Sequence, residues 1–394
     1  MNFQLSCSTT GLPRQPHHSA TSWHDPKRFL WLLPSAVPLL VFVSWVAVRA
    51  TGFGIFWWGA PLLAFVVVPI IDHLVGPDRS NAPENVVARL QSDRFYRWAT
   101  YLYVPNQYLS LVFACWLWAG GGWVTMNFVD KVGLMTTVGL IGGLAINAAH
   151  ELGHTRLQAE RQLSKITLAQ TWYGHFLVEH NRGHHVRVAT PEDPASARLH
   201  ESVYAFIPRS VGGGLRSAWK LEASRLAKTG RPFWTPNNNL LTAWLLSAAL
   251  FSGLALWFRP VVLPWLVGQA IIGFCLLETV NYIEHYGLRR RKKPSGRYER
   301  VTPSHSWNSS SLIANILLFH LQRHADHHSN PLRNYQVLRD VDKAPQLPGG
   351  YANMLLLALL PPLWRRVMDR RVLDCYGGDI RLAALKPGLI TPSG

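Results

Sequence analysis

The chain is short of charge and of cysteine. Only 15% of its 394 residues are Asp, Glu, Lys or Arg, against roughly 25% in soluble domains. Acids are scarcer than bases: 22 Asp and Glu stand against 39 Lys and Arg, a formal charge of +17. Four cysteines, Cys7, Cys115, Cys275 and Cys375, lie far apart with no Cys-x-x-Cys pair. That excludes a disulfide framework and a thiolate metal site, and it fits working parts that face a reducing compartment. Internal repeats and low-complexity tracts are missing too. Apolar material is abundant, at 48% hydrophobic residues and 17 Trp. So much of it excludes disorder, and its arrangement in long blocks argues against an ordinary soluble globule.

A bilayer span needs about 20 mainly apolar residues. Six segments qualify: 29–50, 53–75, 99–120, 133–153, 239–257 and 261–282. The first two and the last two are joined by only a few residues, so each pair reads as a transmembrane hairpin. Residues 1–27 are polar, and no small-residue cleavage site follows the first apolar run, so no cleaved signal is expected. The stretch 155–238 carries 12 Lys and Arg and residues 289–293 are an unbroken basic run, whereas the opposite connections carry Arg49, Lys131 and Arg259. The positive-inside rule then places both termini and the two long polar regions in the cytoplasm. The expected fold is all-α, a bundle of six transmembrane helices with a cytoplasmic helical cap. Its parts are a cytoplasmic segment at 1–28, a transmembrane domain at 29–288 with a cytoplasmic insertion at 155–238, and a cytoplasmic C-terminal region at 289–394. Within the cap, 157–179 and 312–328 each read as one helix. Residues 351–367 read as an interfacial helix interrupted at Pro361 and Pro362.

Histidine is concentrated where this topology predicts one membrane depth. Nine of the 17 histidines fall in four strings: His150-Glu-Leu-Gly-His154, Glu179-His180-Asn-Arg-Gly-His184-His185, Glu284-His285, and His324-Ala-Asp326-His327-His328. Residues three and four apart share a helix face, so pairs such as His150/His154 and His180/His184 can converge on one ion. Nine donors exceed one coordination sphere, and two metals is the economical reading. Imidazole suits iron, zinc, copper and nickel alike, while an apolar bundle open to hydrocarbon favours redox iron. Glu151, Glu179, Glu284 and Asp326 are placed to accept the outer ring N–H of a ligating histidine. His17, His18, His24, His200 and His305 read as solvated, His73 as lying at a span end and His175 on a helix face. His320 is ambiguous, and is left out of the ligand set. A His-Glu-x-x-His string alone also matches the zinc-protease pattern, with Glu151 as base.

The strings NAAHELGH, EHNRGHHVRVATPEDPAS, NYIEHYG and LQRHADHH, with RYERVTPSHSWNS between the last two, resemble those of the alkane 1-monooxygenases of the integral-membrane desaturase and hydroxylase superfamily. The likeness runs from about Lys27 to Asp379. It implies a non-haem di-iron centre of two Fe ions held by His150, His154, His180, His184, His185, His285, His324, His327 and His328. It further implies terminal hydroxylation of n-alkanes with O2, and electrons from rubredoxin and its NAD(P)H-dependent reductase. Without a Cys-x-x-Cys pair the chain cannot itself contain the rubredoxin. Membrane lipid is a further expected partner and nucleic acid is not; the location implied is a bacterial inner membrane with the site near the cytoplasmic side. Basic residues there (289–293, Arg182, Arg187, Arg323) would steer an acidic partner, or serve topology and anionic lipid. In this family a bulky residue in the second span can block the substrate channel. The matching position is Ala64, which is small, so longer chains should be tolerated. Alternatives are a membrane fatty-acyl desaturase or hydroxylase, an intramembrane zinc metalloprotease, and a metal transporter; the last would want ionisable residues through the bilayer depth.

Overall fold

The structure, a computed structural model, describes residues 23–386; His17 and His18 lie outside them. Regular structure among the described residues is helical, with only isolated β-bridges beside it. Among the described residues, five helices are long and apolar enough to cross a membrane: α1 (Arg28–Thr51), α2 (Gly54–Val75), α4 (Phe128–Gly153), α7 (Asn239–Phe258) and α8 (Pro260–His285). The segment expected as a third span forms α3 (Tyr103–Trp118), preceded by a separate helix, Arg94–Tyr101. The 16 residues of α3 rise about 24 Å, short of the roughly 30 Å hydrocarbon core. Length alone therefore singles out five helices, not six. Trp123 and Trp257 are exposed beside the connections that precede α4 and α8, as aromatic residues at a bilayer interface are.

Helix α4 is the axis of the molecule. Its start is fixed by a capping box in which Asn127 and Asp130 exchange side-chain and backbone hydrogen bonds, satisfying donors a helix start leaves free. Along its length it is packed against α8 through small residues. A Cβ at Gly139 would stand 2.7 Å from Ile272, and one at Gly143 would stand 3.0 Å from the Gly273 carbonyl. Small residues spaced by four let two membrane helices approach at backbone distance. The two helices run in the same direction, so their C-terminal ends, carrying His150 and His285, emerge together.

The cap differs from the two uninterrupted helices expected. The first breaks after α5 (Gln158–Ala169) at Trp172, whose φ is +54°, and resumes as Phe176–Glu179. The second breaks between Leu312–Leu317 and His324–Ser329, where Phe319 and His320 take φ of +48° and +55°. Few side chains adopt that region readily, so tertiary packing sets both breaks: the His320 ring, for example, bonds the Tyr335 carbonyl through Nδ1 at 2.8 Å. Helix α6 (Val203–Lys228) lies across the cap and carries Glu222, fully buried. Arg182, Arg225 and the Asn239 backbone N–H all donate to that carboxylate. The C-terminal run is two helices, α9 (Tyr351–Ala358) and α10 (Pro361–Cys375), parted at the prolines.

Candidate metal centre

Nine imidazoles meet at the ends of α4 and α8. They form two groups: His150, His154, His180, His185 and His327 in one, and His184, His285, His324 and His328 in the other. The groups touch, with the His185 and His328 rings 4.5 Å apart. Helix periodicity accounts for His150/His154 and for His324/His328, each four apart. It fails at His180/His184, which part company. Residues His180–His184 make a π turn, closed by the His185 N–H donating to the His180 carbonyl five residues back. The wider turn brings His180 and His185 onto one face and sends His184 to the other group. Arg187 donates to both Glu179 and Ser217, bracing the turn from one flank, and Arg182 bonds Glu222 on the other.

The donor set fits metal ions. Within the five-membered group, Nε2 atoms of neighbouring rings stand 2.9–3.1 Å apart. In the four-membered group they stand 2.9–3.2 Å apart. Two nitrogens about 2.1 Å from one ion are about 3.0 Å apart at a right angle and about 3.4 Å apart at the tetrahedral angle. The spacing is thus that of ring nitrogens able to share one ion. Burial first, and then neighbouring imidazoles, hold His180, His185, His327 and His328 well below the ordinary histidine range. That leaves them neutral, the form that binds metal. The outer Nδ1 atoms of His150, His185, His324, His327 and His328 find no hydrogen-bond partner, so these five rings are not held from outside by a polar group.

A family model for fatty acid desaturases matches residues 131–357, the stretch that contains every one of these histidines. Alkane 1-monooxygenase of Acinetobacter baylyi is 42% identical over 92% of this chain and 89% of its own length. Alkane 1-monooxygenase 1 of Alcanivorax borkumensis is 42% identical over 93% and 90%. The chain belongs to the alkane 1-monooxygenase family. A more distant relative, the xylene/toluene monooxygenase hydroxylase component XylM of Pseudomonas putida, is 25% identical over 79% of this chain and 81% of its own. As a member of that family the protein is an oxidoreductase, and an integral membrane protein.

Of the four carboxylates expected to accept an outer ring N–H, none does so in this structure. Glu179 is taken by Arg187 at 2.7 Å. Asp326 accepts from Arg333, Asn330 and the Arg339 backbone. Glu151 comes within 3.3 Å of His150 Nδ1, but off the donor direction, since that nitrogen remains unbonded. Glu284 lies on the inner side instead: Oε2 is 3.2 Å from His324 Nε2, while Oε1 accepts the Tyr351 hydroxyl at 2.9 Å. The carboxylate that does hold a ring is Asp193, with Oδ2 2.9 Å from His184 Nδ1 and bonded also by Ser196. It lies nine residues beyond His184 in an irregular loop, and no helical spacing points to it. His285 meets the His305 carbonyl through Nδ1 at 3.4 Å.

The histidines set aside behave unevenly. His305 is buried rather than solvated, with Nε2 3.2 Å from Glu299. His200 is half-buried against Asp369, His175 is buried, and His24 and His73 are exposed. His320 is buried but lies outside both groups. The basic residues named for partner steering are also partly committed inside, since Arg323 is buried and Arg182 and Arg187 are ion-paired. Arg291, Lys292 and Lys293 remain exposed. Ala64 lies in a π turn of α2, Leu63–Val67, and lines an apolar cavity of about 90 Å³. Asn147 and Val280, one helical turn before His150 and Glu284, lie at the same cavity, as does Tyr351.

Proposed function

We propose that the protein inserts one oxygen atom of O2 into the terminal C–H bond of n-alkanes, giving a primary alcohol and water, with electrons from rubredoxin and its reductase. One observation carries the reading: two adjoining all-histidine groups stand one helical turn from an apolar cavity inside a membrane protein. The names of the relatives, alkane 1-monooxygenases, support the substrate class. The nine histidines would hold two non-haem irons, which supply the O2-activating redox chemistry when bound.

The chain's own residues then do the rest. An alkane offers no polar handle, so the cavity holds it by shape, at about 0.8 kcal/mol per buried methylene. Chain length is set by where the cavity ends, and a small Ala64 leaves that end open. An acyl substrate would bring a carboxyl or carrier group needing a charged partner, whereas the polar residues at this cavity are Asn147 and Tyr351; this favours a hydrocarbon over the desaturase reading. A cleft rimmed by Arg97 and Arg156 reaches His154 and His327, a way in for electrons from an acidic carrier. With Arg94–Tyr101 prolonging α3, the spans number six, and the positive-inside rule puts the histidines on the cytoplasmic side of the inner membrane. The domain limits follow, at 1–28, 29–288 with the insertion 155–238, and 289–394.

Purified protein, supplied with rubredoxin, reductase and labelled O2, is expected to contain two irons and to give label in a 1-alkanol. One zinc per chain, or an unsaturated product without label, would overturn the proposal.

A further inference from the structure

Helix α8 carries a carboxyl that neither histidine group uses. Glu278 sits about two turns before His285 and is only 3% exposed. An ionisable group at that depth of an apolar helix is costly, and such groups mark proton relays and ion paths. The Tyr173 hydroxyl donates to its Oε1. Its other oxygen, Oε2, is buried and short of a well-aligned partner, with the Ser210 and Asn281 side chains as polar neighbours of the carboxyl. The titratable groups facing it are Tyr173, His175, Glu179, His180, Cys275 and His184, and none is a Lys or Arg.

Glu278 borders a small polar cavity shared with His175, Ser210 and Asn281. On its far wall stand His180 and His184, one from each histidine group. The cavity has room for a water molecule, and Oε2 with the His175 ring supplies the two polar partners such a water needs. Its floor is Gly214, where an added Cβ would lie 4.0 Å from His175 Nε2. Half-buried Pro194 closes it toward solvent.

We propose that Glu278 delivers protons through this cavity to the oxygen being reduced beside His180 and His184. The inference rests on the oxygenase reading above. Each turnover places one oxygen atom in the C–H bond and releases the other as water, so it consumes two electrons from the external donor and two protons. The Oε2–H bond breaks, the proton passes by way of cavity water to the oxygen that leaves as water, and the carboxylate regains a proton from the aqueous side past Pro194. Tyr173 holds the carboxyl in place and keeps its own proton.

Glu278→Gln preserves the shape and the bond from Tyr173 but cannot pass a proton. Positioned proton donors contribute about 10²–10⁴-fold, so alkanol formation should fall at least tenfold, with both irons retained. The solvent deuterium isotope effect should rise, and peroxide should replace water per electron consumed. Glu278→Asp should recover part of the rate, and Gly214→Ala, whose Cβ would meet only ordinary contacts with Glu179 and His175, should leave the rate near wild type. Infrared difference spectra of metal-free protein in H₂O and D₂O should show an exchangeable protonated-carboxyl band in the wild type that Glu278→Gln lacks. Wild-type rate and isotope effect in Glu278→Gln, or a loss of rate explained by lost iron, would overturn the inference. A wild-type protein that forms no alkanol would instead refute the proposed function, a result that comparing the variants cannot produce.

Discussion

His184 and His185 are neighbours in sequence and belong to different groups, which makes them the sharpest test of a two-ion centre. Replacing each by Ala should remove one donor from a set of four and one from a set of five, respectively. Structural four-ligand zinc sites bind with about 10–16 kcal/mol, or about 2.5–4 kcal/mol per ligand, which is roughly 10²–10³-fold in affinity. Under a chelator challenge set to spare the wild type, each variant should therefore keep about one ion per chain and lose the other. His150, His154, His180 and His327 should behave like His185, and His285, His324 and His328 like His184. Metal content by mass spectrometry, with His200→Ala as the control that keeps both ions, gives the readout. Loss of both ions alike from His184→Ala and His185→Ala would refute the division, because a single shared site would then bind them.

Asp193→Ala should weaken binding in the four-histidine group by about 10–100-fold, as loss of a residue that orients a ligand does, and leave the other group intact; metal retention against chelator checks this. Ala64→Trp should shorten the longest alkane converted without lowering turnover of the shortest, read from product chain lengths; an unchanged profile would detach the cavity from the substrate. Burial would raise the Glu222 carboxyl, but Arg225, Arg182 and the Asn239 N–H outweigh it and hold it at about 2, against an ordinary value of 4.5. Its ionised form then contributes roughly 3 kcal/mol, present above pH 4.5 and lost as the pH falls toward 2. Melting in detergent should accordingly be lower for Glu222→Gln at neutral pH, with the gap closing on acidification.

Much of the site could be read from residue spacing. All nine histidines converge, because pairs four apart on a helix need no tertiary information to share a face. Their partition could not be read, since the π turn at His180–His184 is held by Arg182 and Arg187 reaching carboxylates on distant or flanking segments. The same holds for the carboxylates. Sequence adjacency made Glu179 and Asp326 attractive, yet nearby arginines claim them, and the residue that orients His184 comes from a loop without periodicity. Among the spans, hydropathy marks 99–120 as one block, and the chain stays in a right-handed helical conformation through Leu102, where two helical stretches meet. Breaks at Trp172 and at Phe319 and His320 are set by what packs against them rather than by any Gly or Pro.

The wide turn between His180 and His185 has a consequence for how this protein can vary. One surplus residue in a single coil of backbone keeps two neighbouring side chains aimed at separate ions. A chain shortened by one position inside that coil would retain every imidazole and still mis-aim them. A milder loss on Asn181→Ala, which gives up bonds to the Gly153 and Leu177 carbonyls, than on deletion of Asn181 would be the signature of a device that counts residues.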